Sequence, residues 1–248
     1  MTELKRIVDW IDATLDVASF SDVSNNGLQI ARRGTEVTKV AFGVDASVRT
    51  VEAAVEAGAQ LLVVHHGISW GGGIRRVTGG VGRVVRAAIV NNVAVYACHL
   101  PLDAHPTLGN NAQLAKLLGL KRTKPAFNYH GNVIGLVGEL SRRTSTAIGS
   151  RRYEFGPGQI GVCSGGAGEF AEEAKNLGCD LYLTGEASWG DVIAAENCGM
   201  KIICAGHYET EVWGVRAVAK VMKTALKVKA VDLTEVLREP SRSRANMI

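Results

Sequence analysis

No apolar stretch in this chain of 248 residues is long enough to cross a membrane. The most apolar runs, Gln60 to Val64 and Val84 to Val90, fall far short of the roughly 20 residues a spanning helix needs. Cys-x-x-Cys spacing is absent, which argues against a thiolate zinc site. The five cysteines are an odd number. Cys98, Cys163 and Cys204 lie in apolar strand-like runs, and all five, with Cys179 and Cys198, read as small buried hydrophobes. A dense basic tract is missing too. The net charge is +4 and the pI 8.8, but the arginines come as scattered pairs (Arg32-Arg33, Arg75-Arg76, Arg142-Arg143, Arg151-Arg152). They suit a solvated surface better than a nucleic-acid face. The N-terminus mixes acidic residues with alternating apolar and charged positions, unlike a secretory signal, so a cytoplasmic setting is expected. With 46% hydrophobic and 21% charged residues, the chain has the composition of a folded soluble protein with ample core.

Strand-like runs alternate with helical patterns, which predicts an α/β fold. Leu4, Ile7, Val8, Ile11 and Leu15 recur at helical spacing, so a helix is expected near 3–17. Strands are expected at 37–44, 60–64 and 93–98, with helices at 48–57, 81–91 and 110–118. Past residue 158 the order repeats: strands at 159–163, 181–184 and 201–204, with helices at 169–177, 190–197 and 211–227. Ala57 to His66 aligns with Leu177 to Glu186, and a tryptophan follows each, Trp70 and Trp189. This order of parts predicts a two-fold internal repeat. The expected division is 1–125 and 126–248, with the boundary in the polar, proline-containing segment 122–131. Two similar α/β domains would then place equivalent strand ends around a cleft, where ligands of such sheets commonly bind.

The chemistry concentrates at those strand ends. Leu61 to Val64 leads into His65-His66. A second run ends in His99-x-x-x-Asp103 and a third in His207-x-x-x-Glu211. Singly, a histidine pair or one His-x-x-x-acid is more often structural. Three at matching strand ends point to metal. Imidazole and carboxylate without nearby thiolate suit Zn, Fe, Mn or Ni. Neighbouring strand residues face opposite ways, so His65 and His66 can converge only if the strand ends and the backbone turns at Gly67. Two ions about 3.5–4 Å apart would acidify a bridging water and polarise a carbonyl or phosphoryl oxygen. Spacing alone does not separate His99 from the ligands. His105 and His130, in polar loops, read as exposed or locally hydrogen-bonded. Ser164 to Gly168 lies between strand and helix but departs from the Walker and dinucleotide patterns, which favours a plain turn. Asp45 is placed to stand behind a ligand or against a substrate. The amides of Asn25 to Gln29 combine a turn signal with the capacity to contact a ligand.

At Asn25-Asn26-Gly27-Leu28-Gln29, Val64-His65-His66-Gly67, His99-x-x-x-Asp103, Leu183-Thr184-Gly185-Glu186 and Gly206-His207-Tyr208-Glu209-Thr210-Glu211, the chain resembles a known family. These are the dinuclear-metal-centre proteins called GTP cyclohydrolase I type 2-like, or NIF-three-like. The resemblance runs through nearly the whole chain. It implies two similar α/β domains, two divalent ions in the cleft between them and a ring-shaped homohexamer. Its implied metal ligands are His65, His66, Asp103, His207 and Glu211. His99 is implied to be a nearby polar group that orients a ligand or moves protons. Some members carry an inserted domain, for which the interval between Asp103 and His207 is too short. The family commonly has Trp-Asp before its Asn-x-Gly-Leu-Gln run, where this chain has Val23-Ser24.

The function expected is metal-dependent hydrolysis of a nucleotide or related small molecule, with His99 or Glu186 assisting with protons. The competing reading is a non-catalytic protein that handles metal or regulates partners. A ring around nucleic acid has only the mild positive charge in its favour.

Overall fold

Residues 2–238 are described by the computed structural model. The first part of the chain holds β1 (Thr2–Glu3), α1 (Leu4–Leu15), β2 (Gly27–Ile30), β3 (Glu36–Val37), β4 (Lys39–Asp45), α2 (Val48–Glu56), β5 (Leu61–His66), α3 (Gly79–Val90), β6 (Ala94–Ala97), α4 (Leu100–Ala104) and α5 (Asn110–Leu118). Then come β7 (Lys121–Tyr129), β8 (Asn132–Leu140), β9 (Thr144–Ile148), β10 (Arg151–Phe155), β11 (Gly158–Cys163), α6 (Ala171–Asn176) and β12 (Leu181–Thr184). Last are α7 (Trp189–Asn197), β13 (Ile202–Cys204), α8 (His207–Leu226) and β14 (Lys229–Asp232). The fold is α/β, and every strand and helix expected from periodicity is present within a few residues, α8 starting four residues earlier than expected.

Two compact units form, neither a continuous half of the chain. The first takes residues through Asp12, Val23–Cys98 and the chain from Ala219; the second takes Ala13–Asp22 and His99–Val218. The expected division at 125/126 is therefore not where the units part. Segment 122–131 is strand β7 and its turn into β8.

In the first unit the sheet order is β14-β4-β5-β6-β2. β14, β4, β5 and β6 run parallel, and β2 is antiparallel to β6. β5 is central, and its residues Leu61 to His65 are all buried, which explains its unbroken apolar run. Leu62, Val64 and Val95 pack with Val51 and Ala54 of α2 and Val84 and Ala88 of α3. Ser47 starts α2 by accepting from the Thr50 N–H, a cap that satisfies one of the helix's orphan donors.

In the second unit the order is β13-β12-β11-β8-β7, with β11, β12 and β13 parallel and β8 and β7 antiparallel. The run β11-α6-β12-α7-β13 has the same order as β4-α2-β5-α3-β6 in the first unit. β7 was not anticipated because Pro125 and its charged neighbours read as a linker. It is an edge strand with residues 121–125 exposed, and an edge tolerates a proline that a central strand would reject.

Phe127 shows why this edge is part of a core. It is 1% exposed and packs 5.2 Å from Tyr182 and 5.7 Å from Phe170, ring centre to ring centre. Two glycines make its slot: a Cβ at Gly135 would lie 2.6 Å from Phe127 Cδ2, and one at Gly161 2.9 Å from its Cζ. Gly135→Ala is therefore predicted to overpack the core and cost about 1–3 kcal/mol. Urea denaturation checks this; an unchanged midpoint would show that the slot relaxes freely.

Candidate metal centre

In the first unit, His65 and His66 stand at the carboxyl end of β5. His65 is fully buried, and its Nδ1 lies 3.0 Å from the Cys98 carbonyl. His66 Nδ1 lies 2.8 Å from Asp45 Oδ1, Asp45 being its partner across the β4–β5 ladder. A carbonyl and a carboxylate can only accept, so each Nδ1 carries the proton. Nε2 is then the basic, ligand-type nitrogen of each ring. The rings sit 4.5 Å apart, centre to centre. They are adjacent although the ladder continues through His66, so the early end of the strand that the sequence seemed to require is not needed.

The Asn25–Gln29 segment proves to be a brace for the loop after these histidines. Gln29 Oε1 accepts from the N–H of Ile68 at 2.7 Å and of Ser69 at 3.3 Å. Its Nε2 donates to the carbonyls of Asn25 and Ser69, and Asn25 Nδ2 donates to Ser69 Oγ at 2.8 Å. Gly67 serves this contact, not a left-handed turn: any Cβ there would strike the Gln29 amide and lie 2.6 Å from Ala97 Cβ. Trp70 follows, its ring centre 5.9 Å from that of His66.

In the second unit, His99, Asp103, His207 and Glu211 line one cavity of about 190 Å³. His99 caps α4, and its Nδ1 meets Asp22 Oδ1 at 2.9 Å; the other oxygen of Asp22 accepts the Leu100 N–H. Asp22 was not singled out from the sequence. It lies just upstream of Val23-Ser24, where the Trp-Asp pattern is missing. Asp103 Oδ1 accepts from Asn110 Nδ2 at 2.8 Å and Ser164 Oγ at 3.0 Å. His207 starts α8, with Nδ1 2.8 Å from Glu186 Oε1 and Nε2 3.2 Å from Glu211 Oε1. The i to i+4 spacing on a helix brings His207 and Glu211 together. Glu186, expected to carry protons, is the residue in contact with His207 Nδ1.

The remaining candidates are accounted for locally. The Ser164 and Gly165 N–H groups bind Asn111 Oδ1 and Thr210 Oγ1, so these two amides serve the fold and not an anion. His105 Nδ1 accepts from the N–H groups of Thr107 and Leu108, and burial lowers its pKa. His130 sits in the β7–β8 turn with its ring 4.4 Å from Tyr129. Cys98, Cys163 and Cys179 are buried and Cys198 is half-buried, but Cys204 is exposed. Cys204 lies on β13, an edge strand paired on only one side, where an apolar run does not guarantee burial.

The donor chemistry fits a divalent metal. Among the described residues, His65 and His66 in the first unit, and His99, Asp103, His207 and Glu211 in the second, each offer a nitrogen or carboxylate donor of the kind a divalent ion takes. Asp103 and Glu211 are 6% and 2% exposed, and no lysine or arginine lines their cavity. Buried carboxylates without a cation are costly. Without metal, a proton on His207 supplies part of that charge. Its hydrogen bond to Glu211 is the largest cause, opposed by burial and helped by Glu186, and the pKa is pushed up to about 9. A group raised this way stabilises the fold fully below its ordinary pKa near 6.5, and the contribution fades as pH rises through 9. Metal-free protein should therefore show His207 titrating near pH 9 by NMR, with Glu186→Gln lowering the value. A His207 midpoint near 6.5 would refute the pairing.

Among the described residues no helix is long and apolar enough to cross a membrane. The model of the Duf34/NIF3 (NGG1p interacting factor 3) family matches residues 2–154 and 157–240. A protein of Pyrococcus horikoshii named GTP cyclohydrolase 1 type 2 homolog is 40% identical over 240 residues, 91% of this chain and 95% of that one. One of the same name in Deinococcus radiodurans is 41% identical over 86% of each chain. Among solved structures, protein ybgI, of unknown function, superposes with a TM-score of 0.81 at 29% identity, covering 94% of this chain and 98% of that one. TTHA1606 from Thermus thermophilus gives 0.76 at 28% identity, covering 97% and 99%. This chain belongs to the Duf34/NIF3 family.

Proposed function

We propose that this protein is a metal-dependent hydrolase that holds two divalent ions, of Zn, Fe, Mn or Ni, and opens a ring in a nucleotide or related small molecule. The observation that carries the reading is the second unit's cavity, where Asp103, His207 and Glu211 converge in a wall without lysine or arginine. Together with His65 and His66 they form the proposed ligand set. The relatives' name, GTP cyclohydrolase 1 type 2 homolog, supports the choice of reaction class. When bound, such ions supply Lewis-acid polarisation and a water acidic enough to react near neutral pH.

The chain's own residues supply orientation and proton handling. Asp22 holds the His99 proton on Nδ1, so Nε2 is the nitrogen that exchanges a proton with substrate or water. Leu100, Tyr129, Ile134 and Phe170 form the apolar side of the cavity. That side suits a planar ring, and the lining offers a phosphate no lysine or arginine. A cyclic amidine or purine ring is therefore a better occupant of this cavity than a phosphoester.

The test is a panel of nucleotides, cyclic purine analogues and phosphoesters, assayed with protein loaded separately with Zn, Fe, Mn and Ni. Ring opening is expected on at least one cyclic substrate. His99→Gln should lower kcat by about 10²-fold or more with metal content unchanged. Absence of turnover with all four metals, or undiminished turnover in His65→Ala, would remove the hydrolase reading and leave a metal-handling role.

The family resemblance also supports a homohexamer. Sedimentation should then show one particle of six 26.3 kDa chains; a monomer at micromolar concentration would contradict it.

A further inference from the structure

Asn110 is an uncharged side chain that lines no described cavity, yet every polar atom of its amide is accounted for around the proposed ligands. It is 0% exposed. Its Nδ2 donates to Asp103 Oδ1 at 2.8 Å, and its Oδ1 accepts the Gly214 N–H at 2.7 Å. Gly214 lies in α8, the helix that begins at His207 and carries Glu211 on its first turns. One amide therefore joins Asp103, on α4, to the helix that bears the other two candidate ligands of this unit.

Gly214 makes that approach tolerable. A Cβ at position 214 would lie 2.7 Å from Asn110 Oδ1 and 2.9 Å from Leu102 Cγ. The absence of a side chain in mid-helix is costly for helix propensity, so a packing reason is required, and the Asn110 contact supplies it. Ser164 Oγ adds a second donor to the same Asp103 oxygen at 3.0 Å. Two donors on Oδ1 fix the carboxylate plane. An amide suits this task because it offers a donor and an acceptor at once, at either end of one rigid plane.

We infer that Asn110 is a positioning residue: it sets the distance and angle between Asp103 and the His207–Glu211 pair, and so tunes metal affinity without touching the metal. This rests on the metal-centre reading above. Neighbouring Asn111 makes an internal control. It is as buried, at 2% exposed, but its amide binds only backbone: the carbonyls of Asp103 and Ile134 and the Ser164 N–H. It holds the fold without gripping a candidate ligand side chain.

Metal-stripped protein is titrated with Co²⁺, and the visible absorption bands and the affinity are read together. Asn110→Ala is expected to weaken Co²⁺ binding by about 10–100-fold, the range for residues that orient ligands, and to alter band intensity. Gly214→Ala, which displaces the amide from its other end, should act in the same direction. Asn111→Ala should lower the melting temperature while leaving the bands and the affinity close to wild type. If Asn110→Ala does not fold, Gly214→Ala carries the test by the same criterion. Wild-type affinity and bands in the folded Asn110 or Gly214 variant would overturn the inference while leaving the metal centre intact. A wild-type protein that takes up no Co²⁺ would overturn the metal-centre reading, and this inference with it.

Discussion

Asp103 and Glu211 are carboxylates buried in a cavity wall that contains no lysine or arginine, and the second unit is organised around that concentration of negative charge. Buried ionised groups persist only when hydrogen-bonded and charge-compensated. Asp103 receives the amide of Asn110 and the hydroxyl of Ser164. Glu211 is paired with His207, whose basicity rises accordingly. A divalent cation is the kind of partner that such a pair of carboxylates suits.

The same logic governs the imidazoles. His65, His66, His99 and His207 each have Nδ1 against an oxygen acceptor: the Cys98 carbonyl, Asp45, Asp22 and Glu186. Those partners come from neighbouring strands or loops, so the direction of each ring is set by the fold, and for His65, His66 and His99 the tautomer as well. Orienting partners of this kind raise ligand basicity and hold ring direction. The acidic residues near the site thus divide their work. Asp103 and Glu211 are the carboxylates proposed for an ion, while Asp22, Asp45 and Glu186 contact histidines.

Much of this was legible in the sequence because strand ends announce themselves. Apolar runs such as Leu61 to Val64 mark buried parallel strands, and the His-x-x-x-acid spacing carries its helical geometry with it. Asp45 was already legible as a residue behind a ligand, but its pairing with His66, 21 residues on, was not, and Asp22, which reaches the Leu100 N–H across 78 residues, was missed. No local pattern reports such pairings. Asn110 shows the limit plainly: in sequence it opens a helix, and only packing reveals its grip on Asp103. The borders of the two units were hidden for a related reason. Pro125 and its charged neighbours look like a linker, yet they form the edge of a sheet whose inner side is held by Phe127. Spatial units assembled from five chain segments leave no compositional trace at their borders.

Metal content tests the account most directly. Protein purified without chelator, analysed for elements and by anomalous diffraction, should hold two divalent ions per chain. Their occupancy should fall in His66→Ala and in Glu211→Gln alike. A single ion, no ion, or full occupancy in both variants would contradict the dinuclear centre proposed for this protein.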